Sequence, residues 1–128
     1  MTLRSALGTV LGRGAAGEGV GHWWAQRASA LMLVPLTVWL ALALVRLPLS
    51  DFAAVSIWMT SGWNPVWLAL LLLAVFWHSR LGVQVVIEDY VHAPAWRFAA
   101  LILNSAGHLL LLAMGLYALL RLALRGAA

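Results

Sequence analysis

Pro65-Val66-Trp67-Leu68-Ala69-Leu70-Leu71-Leu72-Leu73-Ala74-Val75-Phe76-Trp77-His78-Ser79 runs for fifteen residues without a charged side chain and ends beside an imidazole. It belongs to a longer uncharged stretch, 52–79, punctuated at Gly62 and again at Asn64 and Pro65. A helix needs about 20 residues to cross a hydrocarbon core about 30 Å thick. Asn as N-cap and Pro at the first helical position make a sensible helix start, because Pro lacks the N–H that would be unsatisfied there. The spacing predicts a helix over 65–90, with 52–62 as an interfacial segment. To the N-terminal side, 28–45 carries no charge, and the turn from Trp23 extends it to a first helix over 23–46. Pro35 inside that helix predicts a kink whose freed carbonyl is satisfied by a neighbouring helix or by Thr37. A third helix is expected over 96–120, entered through Pro94 and closed by Arg121 and Arg125. The fold class is therefore an all-α membrane protein with three transmembrane helices, occupying residues 22–128 behind a flexible tail over 1–21.

Composition agrees with lipid as the solvent. The 128 residues are 64% hydrophobic and 9% charged, against about a quarter charged in soluble domains. There is no room for a soluble catalytic domain. With no cysteine, disulfides, thiolate metal sites and iron–sulfur ligation are excluded. All eight basic residues are Arg, scattered near the ends of apolar segments and not set in a strip that could follow nucleic-acid phosphates. Most of the eight Trp also sit near segment ends, where an amphipathic ring settles at the headgroup level. Three spans place the termini on opposite sides. Arg4, Arg13, Arg27 and Arg97 then face Arg46, Arg121 and Arg125, an excess that favours the N-terminus in the cytoplasm, or in the matrix for a mitochondrial inner membrane.

An ionisable group inside a span costs about 2.5 to 3.5 kcal/mol, so each one is a functional candidate. They are His78, Arg80 and His108, with Glu88, Asp89, Tyr90 and His92 at the mouth. On a helix wheel Gly82 lies about 40° and Asp89 about 20° from His78, so the three form one stripe. His78 and Tyr90 are about 18 Å apart along the axis, which sets an imidazole in the bilayer and a carboxylate–phenol pair at the headgroups on one rod. A glycine one turn from a buried imidazole leaves room for a flat macrocycle, and neutral imidazole is a usual axial ligand of haem iron. Taken alone, His78 reads more readily as a packing residue hydrogen-bonded across the bundle.

The segment His78-Ser79-Arg80-Leu81-Gly82-Val83-Gln84-Val85-Val86-Ile87-Glu88-Asp89-Tyr90-Val91 resembles the small cytochrome b membrane anchor subunit of succinate dehydrogenase (complex II). That family has a His, a Gly four residues on and an Asp-Tyr pair eleven and twelve residues on, in the second of three membrane helices. His22-Trp23-Trp24-Ala25-Gln26-Arg27-Ala28-Ser29-Ala30 is similar to the start of the family's first helix. The resemblance implies that His78 is one axial ligand of a b-type haem, with Gly82 making room and the second ligand supplied by a larger cytochrome b sister subunit. It implies that Tyr90 donates a hydrogen bond to a ubiquinone carbonyl, with Asp89 orienting the quinone or feeding protons. Arg27 and His22 would meet a haem propionate. The chain would be non-catalytic alone, passing electrons from an iron–sulfur subunit, itself joined to a flavoprotein subunit, to quinone in the bacterial inner membrane.

Two residues depart from that pattern. Arg80 lies about 200° around the helix from His78 and is expected to face another helix or snorkel. His108 sits at a similar depth in the third helix and is expected to hydrogen-bond to a partner helix, with Asn104 one turn away. Two alternatives stay open: a haem-free structural anchor, and a proton or ion path using Arg80, Glu88 and Asp89.

Overall fold

The computed structural model describes residues 16–126, and within them every long element is helical. The elements are α1 (Ala16–Arg46), α2 (Phe52–Thr60), α3 (Asn64–Tyr90) and α4 (Pro94–Gly126). Three are long and apolar enough to cross a membrane, over Val20–Arg46, Asn64–Tyr90 and Pro94–Leu124. Only helices and closed barrels satisfy every backbone polar group inside lipid, and this chain takes the helical solution. The tail expected over 1–21 lies outside the described residues as far as residue 15. From Ala16 onward the chain is already helical, seven residues before the expected start at Trp23.

α3 is the central element. It packs against α1 on one side and α4 on the other, while the backbones of α1 and α4 do not approach each other. The core is correspondingly small: Leu36 of α1 meets Leu71 and Ala74 of α3, flanked by Leu33, Leu40 and Leu70. Large apolar side chains face outward on every span, among them Leu31 at 73% and Leu103 at 74% exposure. Apolar exposure on this scale far exceeds the patches of a few hundred Å² that soluble monomers tolerate, so the exterior is matched to lipid and to neighbouring membrane helices.

The local signals resolve differently from their expected form. The stretch before α3 is a helix in its own right, because Asp51 caps it: its Oδ1 accepts from the Ala53 and Ala54 amides at 2.9 and 3.2 Å. Gly62, at φ +55°, makes the turn into α3 in a conformation that other residues rarely adopt. Asn64 does not cap α3. Its Nδ2 donates to the Trp58 carbonyl at 2.7 Å, tying α3 to the end of α2, and Pro65 alone marks the helix start. Helix α1 continues through Pro35 as one element. The carbonyl that Pro35 frees belongs to Leu31, yet the Thr37 hydroxyl donates to Leu33 and Val34, its own preceding turn. Trp39, Trp58 and Trp67 cluster with ring centroids 5.6 and 6.2 Å apart, at the end of the bundle that holds α2.

Two glycines of α4 separate packing from propensity. A Cβ on Gly115 would stand 3.3 Å from Leu72 Cδ1, whereas one on Gly107 would meet nothing within 4 Å. Gly115→Leu is expected to destabilise the α3–α4 pair by about 1–3 kcal/mol through overpacking. Gly107→Ala is expected to stabilise by about 0.5–1 kcal/mol through helix propensity. Thermal unfolding of the purified chain in mild detergent checks both, and equal effects would show that the Leu72 contact does not control the spacing of these helices.

Candidate functional site

His22, Gln26 and Ser29 fall at spacings of four and three residues, so they occupy one face of α1, the face that meets α3. Ser29 is buried at 6% exposure and stands opposite His78. Its Oγ lies 2.9 Å from the Gln26 carbonyl and 3.0 Å from His78 Nδ1. A carbonyl only accepts, so the Ser29 hydroxyl spends its one proton on Gln26. The Ser29–His78 bond then requires Nδ1–H of His78 to donate. That tautomer leaves the lone pair on Nε2, the nitrogen that faces away from Ser29.

The neighbourhood of Nε2 is polar and loosely held. Gln26 Nε2 approaches it at 3.5 Å, the outer limit of a hydrogen bond. Gln26 Oε1 and His22 Nε2 are buried without any partner. A Cβ on Gly82 would lie 3.7 Å from the Gln26 amide, so the space beside this glycine is taken by the Gln26 side chain. A group that sought His78 Nε2 would displace one weak contact and find two unsatisfied polar atoms. The donor set is therefore compatible with one imidazole ligand to a haem iron from this chain, with His22 one turn from Gln26 on the same face of α1. Among the described residues no three His, Asp or Glu side chains converge to hold a metal ion by themselves.

The other expected site residues lie apart from this cluster. Arg27 is exposed, with its guanidinium carbon 5.3 Å from the centre of the Trp23 ring. Asp89 and Tyr90 are exposed at the far end of α3, Tyr90 at 78%. That end is tied down by the loop: His92 Nδ1–H donates to the Tyr90 carbonyl at 3.1 Å, and Arg97 Nε donates to the Val91 carbonyl at 2.9 Å. Glu88 accepts from Gln84 at 2.8 Å along the helix. The rigid rod of α3 thus presents Asp89 and Tyr90 at one surface and His78 in the interior.

A second polar seam joins α3 to α4. His108 Nδ1–H donates to the Asn104 carbonyl at 2.8 Å, leaving Nε2 to accept from Ser79 Oγ at 3.1 Å. The Asn104 side chain in turn donates to the Arg80 carbonyl at 3.0 Å. His108 is therefore an interhelical tie with both nitrogens engaged. Interhelical hydrogen bonds of this kind contribute about 0.6 kcal/mol each on average, so both seams orient the helices more than they hold them. Gln26, Ser29 and Ser79 had no role assigned from sequence. The readable signal for the first two was the run of polar residues four and three apart, His22-Gln26-Ser29, on an otherwise apolar helix face.

The model of the succinate dehydrogenase/fumarate reductase transmembrane subunit family matches residues 1–114. A succinate dehydrogenase hydrophobic membrane anchor subunit of Rickettsia bellii is 40% identical over 81 residues, which is 61% of this chain and 62% of that protein. Its counterpart in Rickettsia conorii is 32% identical over 79 residues, 61% of this chain and 63% of that protein. A succinate dehydrogenase membrane anchor subunit of Reclinomonas americana is 28% identical over 89 residues, 67% of this chain and 74% of that protein. The chain thus matches somewhat less than two thirds of the length of the two Rickettsia relatives. No solved structure matches it significantly. With three apolar spans, and a family model that covers all of α1 to α3 and most of α4, the chain belongs to the family of succinate dehydrogenase/fumarate reductase transmembrane subunits.

Proposed function

We propose that this chain anchors a succinate dehydrogenase in the bacterial inner membrane, supplies one axial ligand to a b-type haem through His78, and forms part of a ubiquinone-reduction site through Tyr90 and Asp89. The observation that supports the haem reading is the Ser29–His78 bond, which leaves the Nε2 lone pair facing only the long Gln26 contact, on the α1 face that also carries two unsatisfied polar atoms. The haem, when bound, supplies a one-electron carrier inside the membrane. The second axial ligand would come from a larger cytochrome b sister subunit.

Each residue of the chain then has a defined task. Ser29 holds the imidazole ring in orientation and tautomer. Gln26 withdraws from Nε2 and from Gly82, which costs one long contact. His22 Nε2 and the Arg27 guanidinium, both on the N-terminal side of Ser29, would hold the acidic edge of the macrocycle, where a guanidinium fork suits a carboxylate. At the exposed end of α3, Tyr90 donates its hydroxyl proton in a hydrogen bond to a quinone carbonyl, stabilising negative charge as it develops there. Asp89 orients the ring or relays protons. The iron–sulfur and flavoprotein subunits would dock on the N-terminal side, the side that also carries Asp89 and Tyr90.

The ion-path alternative has less support. It asks Arg80, Glu88 and Asp89 to line one route, but Arg80 sits beside α4 while Glu88 is held by Gln84. A haem-free anchor remains the competing account of His78, and a spectrum separates the two.

In the purified assembly, a reduced-minus-oxidised spectrum is expected to show sharp b-type bands that His78→Ala abolishes. An intact, quinone-reducing assembly without those bands would leave His78 as a packing residue. Ser29→Ala is expected to keep the bands, weaken haem retention by about ten- to a hundredfold and shift the midpoint potential, with Ser29→Thr close to wild type. Tyr90→Phe keeps the ring and removes the donor. It is expected to lower quinone reduction by about a hundredfold with assembly unchanged, and normal turnover would remove Tyr90 from the site.

A further inference from the structure

Arg80 is the one charge deep in α3, and it lies on the side away from α1. It lines a groove of about 750 Å³ between α3 and α4 whose other walls are almost wholly apolar, including Leu73, Phe76, Ile102 and Leu109. Its guanidinium carbon rests 4.7 Å from the centre of the Trp77 ring, and its Nε is buried without a hydrogen-bond partner. His108, also on the groove, has both nitrogens engaged; Asn104 donates its Nδ2 to the Arg80 carbonyl, and its Oδ1, left without a partner, is a neutral acceptor that cannot balance a full charge. Guanidinium does not deprotonate in proteins, so the charge stays and needs an acceptor.

Depth decides where that acceptor comes from. Arg80 stands about 15 Å along the axis from Tyr90 and about 24 Å from Asn64, the two ends of α3. With a hydrocarbon core about 30 Å thick centred on this helix, Arg80 begins about 10 Å below the nearer edge. Its side chain stacks on Trp77, three residues deeper, so the guanidinium points toward the midplane and away from the headgroups. A lipid phosphate is out of reach of that arrangement. A second copy of the chain does not fit either. Its four carboxylates are Glu18, Asp51, Glu88 and Asp89, and none belongs to the middle of a span.

We propose that the α3–α4 groove seats a membrane helix of a different chain, which presents an Asp or Glu carboxylate to Arg80 inside the bilayer. The groove suits a helix. Its α4 wall extends from Phe98 to Leu112, about 21 Å or four turns, and Ser105 and Ala106 between them keep that wall low. Trp77 backs the guanidinium and keeps it in the plane where a carboxylate can be gripped by two N–H groups. The site is independent of the haem reading, because His78 and Arg80 face opposite sides of α3.

The test uses membranes that contain the complete assembly. A photoreactive p-benzoylphenylalanine placed at Ile102 or Leu109 is irradiated and the cross-linked peptides are sequenced by mass spectrometry. The expected product joins this chain to a membrane span of another chain with an Asp or Glu within one helical turn of the cross-link. Arg80→Glu is expected to reduce its yield by at least about tenfold, and replacing the partner carboxylate by Arg in that background to restore it. Cross-links to lipid alone, to a second copy, or to a span without a carboxylate would overturn the proposal, as would an undiminished yield in Arg80→Glu. The first arm is run with Arg80 in place, so it decides the matter even if the variant fails to insert.

Discussion

A polar side chain inside a lipid-embedded helix has to find its partner on a neighbouring helix, and α3 meets this demand on two sides at once. Consecutive residues point about 100° apart on a helix. His78 therefore turns to Ser29 on α1, while Ser79 one position later turns to His108 on α4. The central position of α3, with α1 and α4 kept apart on its two flanks, follows from these opposed polar seams together with the small leucine core beneath them. Everything proposed for the chain is arranged around this one rod.

Energetically the two seams are modest, since membrane hydrogen bonds compete with partners available in the unfolded, inserted state. Their value lies in direction. Ser29 does little to hold α1 on α3, but it decides which imidazole nitrogen carries the proton, and so which is able to bind a metal. His108, with the opposite neighbours and both nitrogens occupied, has no such freedom. Two histidines at similar depth in one bundle are in this way separated into a candidate ligand and a tie. The distinction comes from what lies across the helix contact and not from the residue type.

The contrast extends to unsatisfied groups. Buried polar atoms without partners cluster in two places: His22 Nε2 and Gln26 Oε1 beside His78, and Arg80 Nε with Asn104 Oδ1 on the opposite side. Among the described residues these are the buried side-chain polar atoms left without partners, and such atoms mark where something outside the chain is expected to complete the structure. One place is where we propose a redox cofactor, the other where we propose a charged partner helix. A family of transmembrane subunits offers the setting for both.

Much of this is legible in the sequence. Charge-free stretches long enough to cross a bilayer announce three spans, because lipid leaves the backbone few alternatives. The His-Gly-Asp-Tyr spacing places its residues on one stripe by helix periodicity alone. Those are local properties, set by rise and rotation per residue. Local chemistry with two possible outcomes was harder to read: Asn64 turned to the Trp58 carbonyl in place of its own helix, and Thr37 bonded to its preceding turn and not to the carbonyl freed by Pro35. Only the tertiary structure decided that Gln26 and Ser29 stand against His78, that Ser79 faces His108, and that Arg80 lies over Trp77 in a groove whose lining holds no carboxylate. Helix periodicity says which residues share a face, but which faces meet depends on packing between segments 29 to 52 residues apart, and that pairing is written in no single stretch of the chain.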